Sequence, residues 1–369
     1  MKKVKVLFVG SFINKAIDGS VGGQMYACRS LVASNVSNYV EWILLDTTAK
    51  SVPPPSVYIR GFYALVRLIK FLLIIVVKRP KYSLIFSANG ASIIEKGMMV
   101  LISKTFGITC FFAPRGGPIV SEIEKSSLLI FFLKLFIRKS DYIICQGIFW
   151  KSFFEKLVPD ASPSKFKIVS NWIDLKKYPY QTRIAPRNEK LNTINILFMG
   201  WMQKEKGIFE IYESLVRLKL DNYLIKVSFL GDGNDKNKMI ELCKNLAPNY
   251  LVTFPGWVYG EQKLKYLNES DIFLLPSYAE GMPNSLMEAM ACGIPSIASN
   301  VGAIPEMISN METGILVEPG NSIELSNALS FLISNPIKRE EISRNARLII
   351  EKKHSLVFAE REFISFFNK

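Results

Sequence analysis

Short, near-continuous apolar runs alternate along the whole chain with longer stretches whose apolar residues recur every three or four positions. In the first half the runs fall at residues 4–9, 42–45, 83–86, 108–113, 142–145 and 166–169. Helical spacing fills the intervals at 22–33, 62–77, 92–104, 122–138 and 149–157. The rhythm restarts at 194–199, 226–230, 251–254, 272–275 and 295–298. Strands that are apolar along their whole length have both faces covered, and the helices between them are the crossovers a parallel sheet needs. The pattern predicts an α/β chain of two doubly wound, Rossmann-like domains.

The rhythm breaks at 176–192, where Pro179, Pro186 and many polar residues show no apolar period. The expected organisation is an N-terminal domain over 1–175, that linker, a C-terminal domain over 193–350, and a helix over 351–369 packing back toward the first domain. Open parallel sheets bind ligands beyond the carboxyl ends of their strands, so the site is expected in a cleft across which the two domains face each other.

Composition narrows the chemistry. At 369 residues, 49% hydrophobic and 12% aromatic, the chain has enough apolar surface for two cores. Its 46 lysines and arginines against 32 acids give a net charge of +14, which suits nucleic acid, anionic lipid or a phosphorylated ligand. Solvated basic faces explain the same charge, so it selects none of them. Cys28, Cys110, Cys145, Cys243 and Cys292 are scattered without a C-x-x-C pair and read as reduced thiols. The single histidine, His354, argues against a histidine metal cage and against Ser-His or Cys-His nucleophiles. Met1-Lys2-Lys3 leads straight into a strand, so no secretory leader is expected. The uncharged apolar run at 71–77 is far short of the ~20 residues that span a bilayer. The expected location is cytoplasmic, with peripheral contact on the inner face of the membrane left open.

One segment carries specific chemistry: Ser277-Tyr278-Ala279-Glu280-Gly281-Met282-Pro283-Asn284-Ser285-Leu286-Met287-Glu288-Ala289-Met290-Ala291. It follows a strand and opens a helix, with Pro283 suited to the first turn. A helix start offers backbone N–H groups and the positive end of a dipole to a diphosphate. Glu288 lies one turn beyond Asn284 on the same face, and a carboxylate there can accept bonds from two neighbouring ribose hydroxyls. Taken singly, each glutamate also reads as an ordinary loop or surface acid.

Glu280 and Glu288, followed by Ala289-Met290-Ala291 and by Gly293 and Pro295, resemble the signature of family 4 retaining glycosyltransferases of the GT-B fold. Val301-Gly302-Ala303-Ile304-Pro305-Glu306, Thr313-Gly314-Ile315-Leu316-Val317, Asn171-Trp172-Ile173-Asp174 and Phe198-Met199-Gly200 before Lys206-Gly207 are similar to the same family. The resemblance covers most of residues 171–329 and is architectural over the first half. It implies transfer of a sugar from a nucleotide-diphosphate sugar to an acceptor hydroxyl. Glu280 would position the sugar, and Glu288 would hold the ribose. Lys206 and the turn of Gly281, Met282, Pro283 and Asn284 would grip the diphosphate. The family usually has an arginine after the strand's terminal glycine, where this chain has Trp201.

Two further turns join the expected site. Asp18-Gly19-Ser20-Val21-Gly22-Gly23 links the first strand to the first helix. Gly22 and Gly23 there serve either close approach of a donor phosphate or simply a tight turn; the family's Gly-Gly turn at this place favours the donor. Arg115, in Ala113-Pro114-Arg115-Gly116-Gly117-Pro118, stands near where many family members carry a histidine. It is either a catalytic cation replacing charge lost at Trp201 or a turn-stabilising residue. No Asp-x-Asp occurs, so no metal and no cofactor is expected, and lysine, arginine and helix ends would compensate the diphosphate. With the leaving phosphate oxygen taking the acceptor proton, the reaction needs no protein base.

The stretch 126–139 sets Phe131, Phe132 and Phe136 beside Lys134, Arg138 and Lys139, either as a helix in an anionic headgroup layer or as a buried helix with outward lysines. The expected acceptor is a saccharide or a lipid-linked saccharide of bacterial surface polysaccharide synthesis (lipopolysaccharide O-antigen, capsule or exopolysaccharide). Rival readings are a nucleotide-sugar epimerase or hydrolase on the same fold, which would need acid–base groups in the site, and a catalytically silent scaffold. A nucleic-acid-binding module has only the charge in its favour.

Overall fold

A computed structural model describes residues 3–13, 22–48, 56–182, 192–218, 220 and 222–367. The chain divides into two compact units, Met1–Trp172 with Leu356–Lys369, and Ile173–Ser355. The first contains β1 (Val4–Gly10), β2 (Val40–Asp46), β3 (Tyr82–Ser87), β4 (Thr109–Pro114), β5 (Tyr142–Cys145) and β6 (Phe166–Ile168). These form one sheet in the order β2-β1-β3-β4-β5-β6. The second contains β7 (Asn192–Met199), β8 (Tyr223–Leu230), β9 (Tyr250–Gly256), β10 (Ile272–Leu275), β11 (Ser296–Ser299) and β12 (Ile315–Val317). Its order is β12-β11-β10-β7-β8-β9.

All neighbouring strands run parallel. The two Rossmann-like α/β sheets predicted from the apolar rhythm are therefore present. The reason is visible in burial: every residue of β3, β10 and β11 is buried, as helices on both faces of a parallel sheet require. Strand order reverses between β1 and β3 in one sheet and between β7 and β10 in the other. Successive crossovers leave opposite faces at such a point, and loops at the carboxyl ends part there.

The second unit begins at a place the apolar pattern did not mark. The second starts at Ile173, not at 193, because residues expected in a linker dock on it. Tyr180 donates to Glu340 at 2.9 Å, and the Arg347 guanidinium donates to the Tyr178 carbonyl at 2.6 Å. The helix Leu356–Phe367 belongs to the first unit. Phe363, Phe366 and Phe367 pack there against Trp172, Phe111, Tyr82 and Trp42, while Glu360 accepts from the Asn35 amide at 2.9 Å.

The helical stretch expected at 122–138 is two helices, Ile119–Glu124 and Ser127–Lys139, because Ser126 caps the second by accepting from Leu129 N–H at 3.3 Å. Its aromatic residues divide between the two sides: Phe131 is 61% exposed, while Phe132 is half-buried. Phe136 is fully buried, its ring filling the space where Gly97 lacks a side chain, and Arg138 makes two 2.9 Å bonds to Asp160.

Candidate functional site

Two of the residues singled out in the second unit, Lys206 and Glu280, meet where its strand order reverses. Lys206 ends the 3-10 turn Lys204–Lys206 that follows β7, and Glu280 lies in the loop after β10. The Lys206 ammonium donates to Glu280 Oε1 at 2.6 Å, and Ser277 Oγ donates to the same oxygen at 2.8 Å. Glu280 has no partner on Oε2 among the described residues. An ammonium carries three donors, so Lys206 retains capacity beyond this bond.

Two glycines hold those loops together. Gly207 sits at φ +70°, and a Cβ on it would lie 2.0 Å from the Pro276 carbonyl oxygen. Gly302 sits at φ +56°, and its Cβ would meet the Glu280 carbonyl oxygen at the same 2.0 Å. Only glycine combines positive φ with so close an approach. The Tyr278 amide also donates to the Glu205 carbonyl at 2.9 Å. Its phenol donates to Glu210 Oε1 at 2.5 Å, and this bond to the acid, aided by burial, pushes the phenol up to about 12.

Glu288 points from the helix Asn284–Ala291, where Oε1 accepts from Tyr178 Oη and from Lys263 Nζ, each at 2.8 Å. Oε2 has no partner among the described residues. Sequence reasoning missed Tyr178 and Lys263. Tyr178 lies in the stretch expected as a linker, and Lys263 is one of two lysines on the surface helix Gly260–Glu269, so neither carried a signal. Pro283 is the residue before the helix, not part of its first turn as expected, and Asn284 opens it. Gly281 and Pro283 are buried, as is Met282, whose side chain belongs to the interior.

The turn after β7 is braced by its neighbours. The Met202 amide donates to the Asp232 carbonyl and the Lys204 amide to Asp235 Oδ2, both at 2.8 Å. Trp201 is 42% exposed and meets Trp257, just after β9, edge to face with centroids 5.0 Å apart.

The first unit arranges its candidates differently. Residues 18–21 of the glycine turn lie outside the described residues. Gly22 precedes the helix Gly23–Val32 in extended conformation, with nothing among the described residues within 4 Å of where its Cβ would stand. Arg115, either a ligand-facing cation or a turn-stabilising residue by sequence, is buried, and its Nη1 has no hydrogen-bond partner among the described residues. Its guanidinium lies 4.5 Å from the Phe86 ring and 5.3 Å from that of Trp172, and it bonds Asn171 Oδ1. Gln146 Nε2 donates to the same oxygen at 2.8 Å. Burial pulls the guanidinium down to about 10, which leaves it cationic at neutral pH. Burial also pushes the nearby Cys28 thiol up to about 12, consistent with an unreactive core thiol. Among the described residues no group of three or more His, Cys, Asp or Glu could hold a metal.

Residues 181–349 match the protein-family model described as "Glycosyl transferases group 1". The Staphylococcus aureus "Capsular polysaccharide biosynthesis glycosyltransferase CapM" is 27% identical over 205 residues, covering 54% of this chain and 53% of that protein. The chain spans about half the length of the curated relatives it matches. A sucrose-phosphate synthase from Thermosynechococcus elongatus superposes with TM-score 0.79 at 17% identity, covering 99% of this chain and 98% of that one. Anabaena Alr3699/HepE, solved in complex with UDP, gives 0.74 at 14% identity, covering 99% of both chains. At these identities the likeness establishes the fold, which is GT-B. The second unit of this GT-B chain thus carries a glycosyltransferase group 1 domain.

Proposed function

We propose that the protein is a retaining family 4 glycosyltransferase that moves a sugar from a nucleotide-diphosphate sugar to an acceptor hydroxyl. The Lys206–Glu280 contact at the strand-order reversal of the second sheet carries this reading. Lys206 uses its remaining N–H groups on the donor diphosphate and stabilises charge on the leaving oxygen. The start of the helix Asn284–Ala291, with Gly281, Met282 and Pro283 before it, adds a helix dipole to the same end. Glu280 offers Oε2 to sugar hydroxyls and eases positive charge at the anomeric carbon. Glu288 offers its own Oε2 to the ribose, its other oxygen being fixed by Tyr178 and Lys263. The bond from the anomeric carbon to the diphosphate oxygen breaks, the acceptor oxygen bonds to that carbon on the same face, and the departing oxygen takes the acceptor proton. No step calls on a metal.

The HepE likeness, which includes a complex with UDP-glucose, supports a nucleotide sugar as donor. The CapM relative supports an acceptor in surface polysaccharide assembly, which we take to be lipid-linked. A panel of nucleotide sugars, scored by thermal shift and then by release of nucleoside diphosphate with acceptor, tests the reading. Product anomeric configuration by NMR tests retention. Inverted product, or turnover abolished by EDTA, would count against the mechanism, and donor converted without acceptor would favour an epimerase or hydrolase.

A further inference from the structure

The helix Val57–Lys78 carries two apolar stripes, and the first unit covers only one of them. Ala64, Leu68, Phe71 and Ile75 recur at the spacing of one helical face, and Phe71 and Ile75 are buried. Arg67 clamps this helix to Glu95 of the helix Ala91–Thr105 with bonds of 2.6 and 2.9 Å. Tyr58, Phe62, Leu65, Ile69, Leu72 and Val76 recur at the same three- and four-residue spacing on another face, and all are exposed, Tyr58 to 91% and Phe62 to 63%. Leu73 and Val77 widen the exposed stripe.

A surface helix of a folded domain ordinarily puts polar residues opposite its buried face. Here 22 residues, about 33 Å of helix, present apolar side chains instead. Isolated soluble domains rarely expose so continuous a patch. Every charge on the helix is basic: Arg60, Arg67, Lys70 and Lys78, with Arg79 and Lys81 following. Among the described residues no helix is long and apolar enough to cross a membrane. An apolar face flanked by cations fits the plane of an anionic headgroup layer. A second copy is the poorer occupant, since a two-fold interface would set these cations against their own kind.

We propose that Val57–Lys78 docks the protein on an anionic membrane, with Phe62, Leu65, Ile69 and Leu72 in the acyl boundary and Arg60, Lys70 and Lys78 among the phosphates. This deepens the lipid-linked acceptor reading by naming the surface that meets the lipid; it does not depend on the sugar chemistry. The test is co-sedimentation of the full chain with phosphatidylcholine vesicles, with and without phosphatidylglycerol, in the absence of donor. Wild type should bind the mixed vesicles. The F62S/L65S/I69S variant should lose about tenfold or more of that affinity with its melting temperature kept. K70E/K78E should lose the preference for anionic lipid. Three results overturn the proposal: no binding by wild type, equal binding by the triple variant, or a wild-type dimer that the triple variant dissolves while vesicles take up neither. Transfer to a soluble acceptor, assayed separately, shows whether the glycosyl-transfer reading stands when docking fails.

Discussion

Beyond β7 and β10 the second unit brings a lysine and a carboxylate into contact and leaves both with unused hydrogen-bonding capacity. Beyond β4 and β6 the first unit brings an arginine and an asparagine into contact and seals them among aromatic rings. The two sheets are alike, six parallel strands with one reversal of order. The difference therefore lies in burial, not in topology. A charge at the rim is available to a ligand only if its own unit has not already spent it. Lys206 keeps two of its three donors; Arg115 is enclosed by Phe86, Trp172 and Asn171, with its Nη1 left without a partner among the described residues.

The strongest way to break this contrast is to remove each cation. Lys206→Ala and Glu280→Gln should each cut turnover ~100-fold or more, with the melting temperature little changed. Glu280→Gln should lower kcat more than donor affinity. Arg115→Met should do the opposite, destabilising the fold by about 2 kcal/mol in urea while activity per folded molecule survives. An Arg115→Met protein that is as stable as wild type yet inert would put a catalytic group in the first unit and undo the distinction.

Smaller effects sharpen it. Glu288→Ala should weaken donor binding about tenfold by calorimetry, and Lys263→Met somewhat less, because Lys263 orients Glu288 without replacing it. Gly302→Ala should slow turnover by shifting the Glu280 loop and cost about 1–3 kcal/mol in strain. Retained kinetics would mean that the loop's backbone position does not govern the reaction.

The smallest effect lies under the exposed helix. Burial pushes the Glu95 carboxyl up, but the bonds and charges of Arg67 and Lys96 outweigh it and hold it below its ordinary value. A carboxyl so depressed stabilises the fold above its unfolded pKa, and the contribution fades as pH falls through the folded one. Glu95→Gln should therefore cost about 1 kcal/mol at neutral pH and nothing once the wild-type carboxyl is protonated. Denaturant melts across acidic pH check this.

The alternation of apolar runs and helical spacing was enough for both sheets except β12, whose three residues are too short a run to stand out, because strands covered on two faces must be apolar throughout. Glu280, Glu288 and Lys206 stood out through short motifs next to strand ends that resemble those of a known family, not through the alternation itself. What escaped it were partners distant in the chain. Tyr178 and Lys263 lie 110 and 25 residues from Glu288 and carry no local pattern. Arg115 could be read either as a ligand-facing cation or as a turn-stabilising residue, because a turn after a strand carries no record of the rings that will close over it.

Residue order by itself determined the α/β class, the repeated strand rhythm and the acidic motif, all of which follow from periodicity and neighbouring residues. Tertiary structure alone decided which charges are enclosed, which part of the expected linker joins the second unit, and how much apolar surface each of the two aromatic-basic helices leaves uncovered. These depend on burial, and burial is set by what folds against a residue from elsewhere in the chain.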